Sequence, residues 1–271
     1  MNKPDLYSTH VTPHSIEYYK SILDKYLPKI RHGNNNNKSA LDIGCGPGRV
    51  THDVILPYVK QEIDEIIGVD ISVPMIEHAQ KTYANDQVNF KVVNAAEPVP
   101  EDFVERFDYI FSFMTLHRIP DQRLLYSNIL KMLKPNGSFL VTYIAKSKNT
   151  AICNKVCDLE VYSPYIPKTY RRNTAFNKSE NPQEELTSIL RDTGFKDIHC
   201  EVNTTRLGNY SRTGIERYFV SILGHYDCIP SHLQKQFIAD HVDQIGTGNG
   251  ANGEKEYYVE HDLFIAHGRR T

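Results

Sequence analysis

Residues 39 to 144 alternate between two hydrophobic periods, and this alternation restricts the fold more than any other feature of the 271-residue chain. Short apolar runs predict five β-strands, at residues 39–43, 66–69, 88–93, 108–113 and 137–144. Stretches with helical spacing separate them, at residues 49–60, 74–84 and 122–133. Strands that alternate with helices form a parallel sheet with helices on both faces. The sequence therefore predicts an α/β fold with a doubly wound, mostly parallel sheet.

The first strand leads into a turn with three alternating glycines, Gly44, Gly46 and Gly48. Glycine has no Cβ, so the backbone of such a turn can adopt positive φ and approach a ligand closely. The N–H groups at the start of the following helix attract a polar or charged group. The second strand ends in Asp70, where a carboxylate is well placed to accept both hydroxyls of a ribose. The turn and Asp70 together predict a site for a nucleoside cofactor.

The spacing within the turn distinguishes between kinds of nucleoside cofactor. Turns that bind dinucleotides read G-x-G-x-x-G and direct a helix N-terminus at a pyrophosphate. In this chain the order is G-x-G-x-G, and Asp42 stands two residues before the first glycine. This carboxylate would repel a pyrophosphate but suits a ligand that carries an ammonium group. The pattern thus disfavours a nicotinamide dinucleotide.

Residues 41–48, Leu-Asp-Ile-Gly-Cys-Gly-Pro-Gly, resemble the cofactor motif of the class I S-adenosylmethionine-dependent methyltransferases. The resemblance implies a Rossmann-like sheet of seven strands, with residues 263–268 placed to form the seventh strand, antiparallel beside the fifth. It also implies S-adenosylmethionine as the cofactor. The residues implied to bind this cofactor are Asp42, Gly44, Cys45, Gly46, Gly48, Asp70, Ile71, Asn94, Ala95 and Ser112.

Further segments are similar to the arthropod juvenile hormone acid methyltransferases. The similar segments cover most of the chain and comprise residues 107–122, 128–137, 163–165, 194–195 and 230–233, with Phe237 and Asp240. That family transfers a methyl group from S-adenosylmethionine to the carboxylate of a sesquiterpenoid such as farnesoic acid or juvenile hormone acid. The resemblance therefore implies a small hydrophobic carboxylic acid as the substrate.

Three positions depart from that family's pattern. Arg118 stands where the family has tryptophan, and Pro13-His14-Ser15 stands where it has a glutamine implicated in holding the substrate carboxylate. Asn94 replaces an aspartate that contacts adenine, and an amide oxygen can still accept from the adenine amino group. The candidate catalytic residues are groups that would orient a carboxylate, namely His14, His117 and Arg118, and the Arg118 guanidinium has the two-pronged geometry for it.

Segments outside the cofactor region predict a cover for the sheet. Helices are expected at 15–26, 150–160, 183–193, 215–225 and 231–245, and strands at 197–202 and within 256–268. The expected N-cap is Thr12 or Ser15 for the first of these helices and Ser231 for the last. The glycine-rich tract 246–253 predicts a flexible loop. A single domain is expected, with residues 1–32 as an N-terminal helical lid and 38–145 as the cofactor-binding core. Residues 146–182 and 203–255 are expected to be insertions that cover the substrate.

The composition is that of an ordinary soluble globular protein, with 40% hydrophobic residues, 24% charged residues and a net charge of −2. A charge so close to zero disfavours a nucleic-acid binder. No apolar run reaches the roughly 20 residues of a membrane span, and no signal peptide is evident, so we expect a cytoplasmic monomer or homodimer. Five widely spaced cysteines fit reduced thiols, and Cys153 and Cys157 lack further ligands at zinc spacing, so no metal site is expected.

Three functions stay open on these grounds. The first is a methyltransferase that acts on a hydrophobic carboxylic acid. The second is a methyltransferase for another small acceptor, such as a polar acid or a phenol, to which Arg118 and the absence of tryptophan point. The third is a non-catalytic relative that binds the cofactor and a lipid.

Overall fold

A twisted sheet forms the centre of the protein. The computed structural model describes residues 3–10, 13, 15–31, 38–167, 174–249 and 253–271. Within them the sheet has eight strands: β1 (Lys38–Ile43), β2 (Ile63–Asp70), β3 (Val88–Val92), β4 (Phe107–Phe113), β5 (Leu133–Ser147), β6 (Lys196–Tyr210), β7 (Gly246–Asn249) and β8 (Lys255–Arg269).

The strand order is β3-β2-β1-β4-β5-β8-β6, with β7 paired to β8. Strands β1 to β5 pair in parallel, and β8 lies antiparallel between β5 and β6. This confirms the predicted doubly wound sheet and its antiparallel last strand beside the fifth. The strand order reverses between β1 and β4, and in open α/β sheets ligands bind in the crevice beyond the carboxyl ends of the strands at such a point.

Helices cover both faces of the sheet. They are α1 (Pro4–His10), α2 (Ile16–Ile30), α3 (Leu56–Val59), α4 (Val73–Tyr83), α5 (Gln122–Met132), α6 (Lys148–Cys157), α7 (Pro182–Thr193), α8 (Arg212–Ile222) and α9 (Ser231–Val242). One apolar core packs α5 and α7 against the sheet, and a second packs α2, α3 and α4 against it. A third joins α6, α8 and α9 to the far ends of β6 and β8. Among the described residues, no helix combines the length and apolar character that crossing a bilayer requires.

The first helix, α1, was not predicted, because it is only seven residues long and shows no extended apolar stripe. Tertiary contacts hold it in place. Lys3 Nζ lies 2.8 Å from Asp227, and the Ser8 carbonyl accepts from Arg49 Nη1 at 3.2 Å. Helix α1 is thereby attached both to the segment after α8 and to the segment after the glycine turn.

The C-terminal strands extend further than predicted. Strand β6 does not end at residue 202, because its polar continuation pairs with β8 as far as Tyr210 opposite Tyr257. The tract predicted as a loop at 246–253 contains strand β7, although its residues 250–252 lie outside the described part of the chain. A Cβ on Gly246 would lie 2.7 Å from the Tyr258 ring, so glycine lets that ring cover the strand.

The helix starts agree with the sequence in part. Asp121 caps α5, since its side chain accepts from the Leu124 N–H at 2.9 Å. Ser15 occupies the cap position of α2 without a capping hydrogen bond, and Thr12 lies outside the described residues. The predicted helix α9 is present, but its predicted N-cap is wrong, because Pro230 occupies the cap position and Ser231 is already the first helical residue. The predicted helix 49–60 is helical over residues 49–59, with a π-helical turn, Thr51–Ile55, directly before α3.

Candidate active site

A cavity of about 290 Å³ lies beyond the carboxyl ends of β1, β2 and β4. Its wall includes the glycine turn after β1, the tip of β2, the loop after β3 and the residues that follow β4. Tyr7 of α1 and Tyr19 of α2 complete the wall. The cavity therefore occupies the crevice at which the strand order reverses. Eight of the ten predicted cofactor residues line it, namely Asp42, Gly44, Cys45, Gly46, Asp70, Ile71, Asn94 and Ala95.

The three glycines of the turn all have positive φ, but they serve different purposes. A Cβ on Gly44 would lie 2.1 to 2.4 Å from side-chain atoms of Thr115, whose hydroxyl donates to the Gly44 carbonyl at 3.1 Å. A Cβ on Gly46 would meet nothing within 4 Å. Gly48 is a packing residue, because a Cβ there would lie 2.8 Å from Ala79 and 2.9 Å from Phe90. Gly44 and Gly46 line the cavity, whereas Gly48 does not.

Asp42 is almost completely buried at the end of β1, with 2% of its surface exposed. Burial, together with the charge of Asp70, raises the pKa of this carboxyl to about 7, against the effect of a hydrogen bond from the Thr51 hydroxyl. That hydroxyl donates to Oδ2 at 2.6 Å. A cation placed beside Asp42 would offset the desolvation of the carboxylate and favour its ionised form. The site therefore fits a ligand with an ammonium group.

Asp70 connects the tip of β2 to the glycine turn. Its Oδ2 accepts from the Gly46 N–H at 3.1 Å, and its Oδ1 accepts from the Ser72 N–H at 2.8 Å. Burial raises the pKa of this carboxyl, and the backbone hydrogen bonds oppose that effect. Each carboxylate oxygen has two lone pairs, so both oxygens can still accept a hydroxyl. The arrangement fits a ribose.

The loop after β3 is organised by Asn94. Its Oδ1 accepts from the Ala96 N–H at 3.0 Å, and its Nδ2 donates to Glu97 at 2.9 Å. The amide oxygen that is expected to accept from the adenine amino group thus already accepts one hydrogen bond within the loop. Ile71, which also lines the cavity, is 65% exposed. An apolar side chain this exposed at a cavity edge suits the face of a flat ring. The open glycine backbone, the two acids and this edge together fit S-adenosylmethionine.

The structure places Ser112 differently from expectation. Its side chain is fully buried, and its hydroxyl donates to the Ile43 carbonyl at 2.7 Å, which ties β4 to β1. The residue lies within the central strand, before the strand reaches the cavity, so it is not part of the cavity wall. Met114 and Thr115, which follow the strand, line the cavity instead.

Replacing Ser112 by alanine is therefore expected to affect stability and not cofactor binding. Loss of one buried hydrogen bond should lower the free energy of unfolding by about 1 kcal/mol. Urea unfolding measures this loss, and calorimetry with S-adenosylhomocysteine should give an unchanged Kd. A large rise in that Kd with unchanged stability would contradict the structural role.

A second cavity, the acceptor chamber, adjoins the first. It has a volume of about 70 Å³ and shares Tyr7, Tyr19, Met114 and Arg118 with the cofactor cavity. Its far wall combines polar side chains with apolar and aromatic ones, and the latter include Ile144, Leu207, Tyr210, Phe219, Ile222 and Val259. A more open cavity of about 240 Å³ shares His117, Arg118 and Thr174 with the chamber. The chamber thus adjoins a second, more open cavity.

The three candidate catalytic residues have different positions. His117 and Arg118 belong to the 3₁₀ turn Leu116–Arg118 that follows β4. His117 is buried and lines the acceptor chamber and the open cavity, whereas Arg118 is exposed and lines all three cavities. His14 lies outside the described residues. The structure thus brings His117 and Arg118 together where these cavities adjoin.

The cavity wall also contains residues that the reasoning from sequence did not single out, among them Tyr7, Tyr19, Met114 and Thr115. Tyr19 belongs to the apolar stripe of the predicted first helix, and the stripe does not reveal which of its residues faces a ligand. Met114 and Thr115 directly follow the fourth strand, so their place beyond the strand end at the crevice was a usable signal.

Comparison with known proteins agrees with this geometry. A family model for a methyltransferase domain matches residues 34–194, more than half of the chain. The chain is 24% identical over 247 residues to juvenile hormone acid O-methyltransferase of Bombyx mori, covering 90% of this chain and 86% of that protein. It is 25% identical over 278 residues to the protein of the same name from Drosophila melanogaster, covering 100% and 93%.

A likeness to solved structures shows the same fold. The YcgJ protein of Bacillus subtilis superposes with a TM-score of 0.55 at 17% identity, covering 92% of this chain and 98% of that chain. The fold, the cavity at the strand reversal and the family model all point to one conclusion. The chain belongs to the methyltransferase-domain family, with S-adenosylmethionine as its cofactor.

Proposed function

We propose that the protein transfers the methyl group of S-adenosylmethionine to the carboxylate of a small hydrophobic acid, such as the sesquiterpenoids farnesoic acid or juvenile hormone acid. Two relatives named juvenile hormone acid O-methyltransferase, which align with 90% and 100% of the chain, support this proposal. The apolar side chains on the far wall of the acceptor chamber support it too, since such side chains favour a hydrocarbon body.

The observation that carries the proposal is the position of Arg118. Arg118 lines both the cofactor cavity and the acceptor chamber. Its positively charged guanidinium group is therefore near the place where the methyl donor and the acceptor would meet. A guanidinium binds a carboxylate through two parallel hydrogen bonds, which fixes the orientation of its oxygens. A neutral phenol or alcohol would gain much less from this residue.

The residues of this chain act mainly by positioning. When bound, S-adenosylmethionine supplies an electrophilic methyl group. A carboxylic acid with an ordinary pKa of about 4 is already ionised at neutral pH, so no residue has to remove a proton. Arg118 would orient the carboxylate, and the apolar wall would exclude water from it. Correct placement of two reactants alone can contribute on the order of 7–11 kcal/mol to catalysis.

An acceptor panel tests the substrate class. The protein is incubated with methyl-labelled S-adenosylmethionine and farnesoic acid, a short polar acid or a phenol, and the products are identified by mass spectrometry. We expect the methyl ester of farnesoic acid to predominate. A preference for the polar acid or the phenol would support the second function considered above. Binding of cofactor and acid without any product would support the non-catalytic function.

Replacing Arg118 by glutamine is expected to lower kcat/KM for the acid about 10²-fold, because a hydrogen bond to a charged group contributes about 1.5–3 kcal/mol. Lysine at this position should restore part of the loss, since it keeps the charge but not the fork. Steady-state kinetics of ester formation measure both effects.

Binding of S-adenosylhomocysteine, followed by calorimetry, serves as the control for the Arg118 variants. We expect its Kd to change less than about threefold, equivalent to about 0.7 kcal/mol. A loss of cofactor affinity as large as the loss of kcat/KM would show that Arg118 holds the cofactor's own carboxylate and would overturn its assignment to the acceptor.

A further inference from the structure

The acceptor chamber has a polar region at the start of α6. Ser147, Asn149 and Thr150 line the chamber there, together with His261 from the neighbouring strand β8. Ser147 caps the helix, and the pairing of β5 with β8 places His261 directly beside it. A polar group in an otherwise apolar ligand pocket usually determines how a ligand is oriented.

Most of the hydrogen-bonding capacity of this region is already in use. The Ser147 hydroxyl accepts from the Thr150 N–H at 3.3 Å and lies 2.9 Å from Nδ1 of His261. Asn149 differs from its neighbours. It is 9% exposed, and among the described residues its buried Nδ2 has no hydrogen-bond partner. A buried amide donor without a partner destabilises a fold, and a ligand that supplies the missing acceptor would remove this cost.

The location of Asn149 relative to the cofactor defines which part of a ligand it would meet. Asn149 lines the acceptor chamber but not the cofactor cavity, whereas Arg118 lines both. A substrate whose carboxylate lies at Arg118 would therefore present another part of its body to Asn149. The N-terminus of α6 adds a partial positive charge in the same place, which favours an electron-rich atom.

We propose that Asn149 determines acceptor specificity by donating a hydrogen bond to an oxygen atom of the acceptor that is remote from the methylated carboxylate. The preferred substrate class is thus an oxygenated hydrophobic acid, with a hydroxyl, carbonyl or ether oxygen on its chain. This inference rests on the proposed function for the orientation of the substrate. A site that gains a hydrogen bond from one ligand discriminates against the analogue that lacks it.

The test compares farnesoic acid with three analogues that carry a single hydroxyl group at carbon 8, 10 or 12. Calorimetry measures the Kd of each acid for protein saturated with S-adenosylhomocysteine, and ester formation gives kcat/KM. We expect at least one hydroxylated acid to bind about tenfold more tightly than farnesoic acid, as one hydrogen bond in a buried site would provide. In the Asn149→Leu variant the ratio should fall to about one or below.

Ile144→Val is the matched control, because Ile144 lines the same chamber without a polar group. It should weaken the binding of all four acids alike and leave their ratio unchanged. The melting temperature of ligand-free Asn149→Leu should equal or exceed that of the native protein, since the variant removes a donor without a partner. This separates a specificity role from a structural one.

The outcomes distinguish this inference from the proposed function. Equal Kd values for all four acids would overturn the role of Asn149. A preference that persists in Asn149→Leu would do the same. So would a preference of the native protein in which the added hydroxyl bonds only to a trapped water and not to Asn149. Esters formed without any preference would leave carboxyl methylation standing and refute this inference. A preference in Kd that depends on Asn149, without ester from any acid, would support Asn149 and refute carboxyl methylation.

Discussion

Replacing Asp42 by asparagine is expected to weaken the binding of S-adenosylhomocysteine about 10²-fold while it stabilises the ligand-free protein. The loss of affinity follows from the loss of a charge-assisted hydrogen bond to an ammonium group, which contributes about 1.5–3 kcal/mol. The gain in stability follows from the removal of a buried carboxylate. The Oδ1 atom of asparagine can still accept from Thr51, so the local packing is retained.

The stabilisation depends on pH in a defined direction. Burial raises the pKa of Asp42 from 3.8 to about 7 in the folded protein. Between these values the folded state holds a proton that the unfolded state has released, so the stability of the native protein falls as the pH rises through this window. Above about pH 7 the ionised carboxylate costs on the order of 4 kcal/mol, since each pKa unit corresponds to about 1.4 kcal/mol. Asparagine avoids this cost.

Urea unfolding of native and Asp42→Asn protein, at about pH 8 and about pH 4, measures the effect. The variant should be more stable at the higher pH, and the difference should vanish at the lower one. The exposed Asp64, changed to asparagine, is the control for net charge and should show neither effect. An Asp42→Asn protein that is less stable than the native one at the higher pH would show that this carboxylate is already compensated in the ligand-free fold.

Replacing Gly44 by alanine is the second change with a large expected effect. The residue has φ of +77°, and its Cβ would overlap the Thr115 side chain at 2.1 to 2.4 Å. This overlap can be relieved only if the turn or Thr115 moves, and both line the cofactor cavity. We expect a loss of about 2–4 kcal/mol in the free energy of unfolding and a rise of more than about 10²-fold in the Kd of S-adenosylhomocysteine.

Gly46→Ala is the matched control for the turn. Gly46 also has positive φ, at +54°, but its Cβ would meet nothing within 4 Å. Only the backbone conformation is penalised, so the loss of stability should be about 1 kcal/mol. Thermal and urea unfolding of both variants give the comparison. Equal losses for the two alanines would show that positive φ, and not the contact with Thr115, determines the need for glycine at position 44.

The sheet and the cofactor turn were predictable because both depend on local sequence. Short apolar runs define β1 to β5, and the alternating glycines mark the turn regardless of the rest of the fold. The wall of the cavity was only partly predictable. Ser112 and Met114 stand two residues apart at one strand end, and their different roles depend on where β4 leaves the sheet. Strand ends are the least certain part of a prediction from sequence.

Features stabilised by distant contacts escaped prediction altogether. Helix α1 depends on partners such as Asp227, 224 residues away from Lys3. The extension of β6 to Tyr210 depends on pairing with β8, because its polar sequence alone is typical of a loop. The polar start of α6 is similar, since only the fold places Asn149 and His261 in one chamber. The acceptor side of the site is therefore the part that sequence patterns describe least well.

Helix α1 has a consequence for the rate at which the enzyme exchanges its cofactor. Tyr7 forms part of the cavity wall, and the helix is held by the Lys3–Asp227 ion pair and by the hydrogen bond from Arg49 to Ser8. If S-adenosylhomocysteine dissociates past this helix, these contacts have to break first. Exposed ion pairs are weak and are screened by salt. The residence time of S-adenosylhomocysteine should therefore shorten as ionic strength rises, even where its equilibrium contacts within the cavity are unchanged.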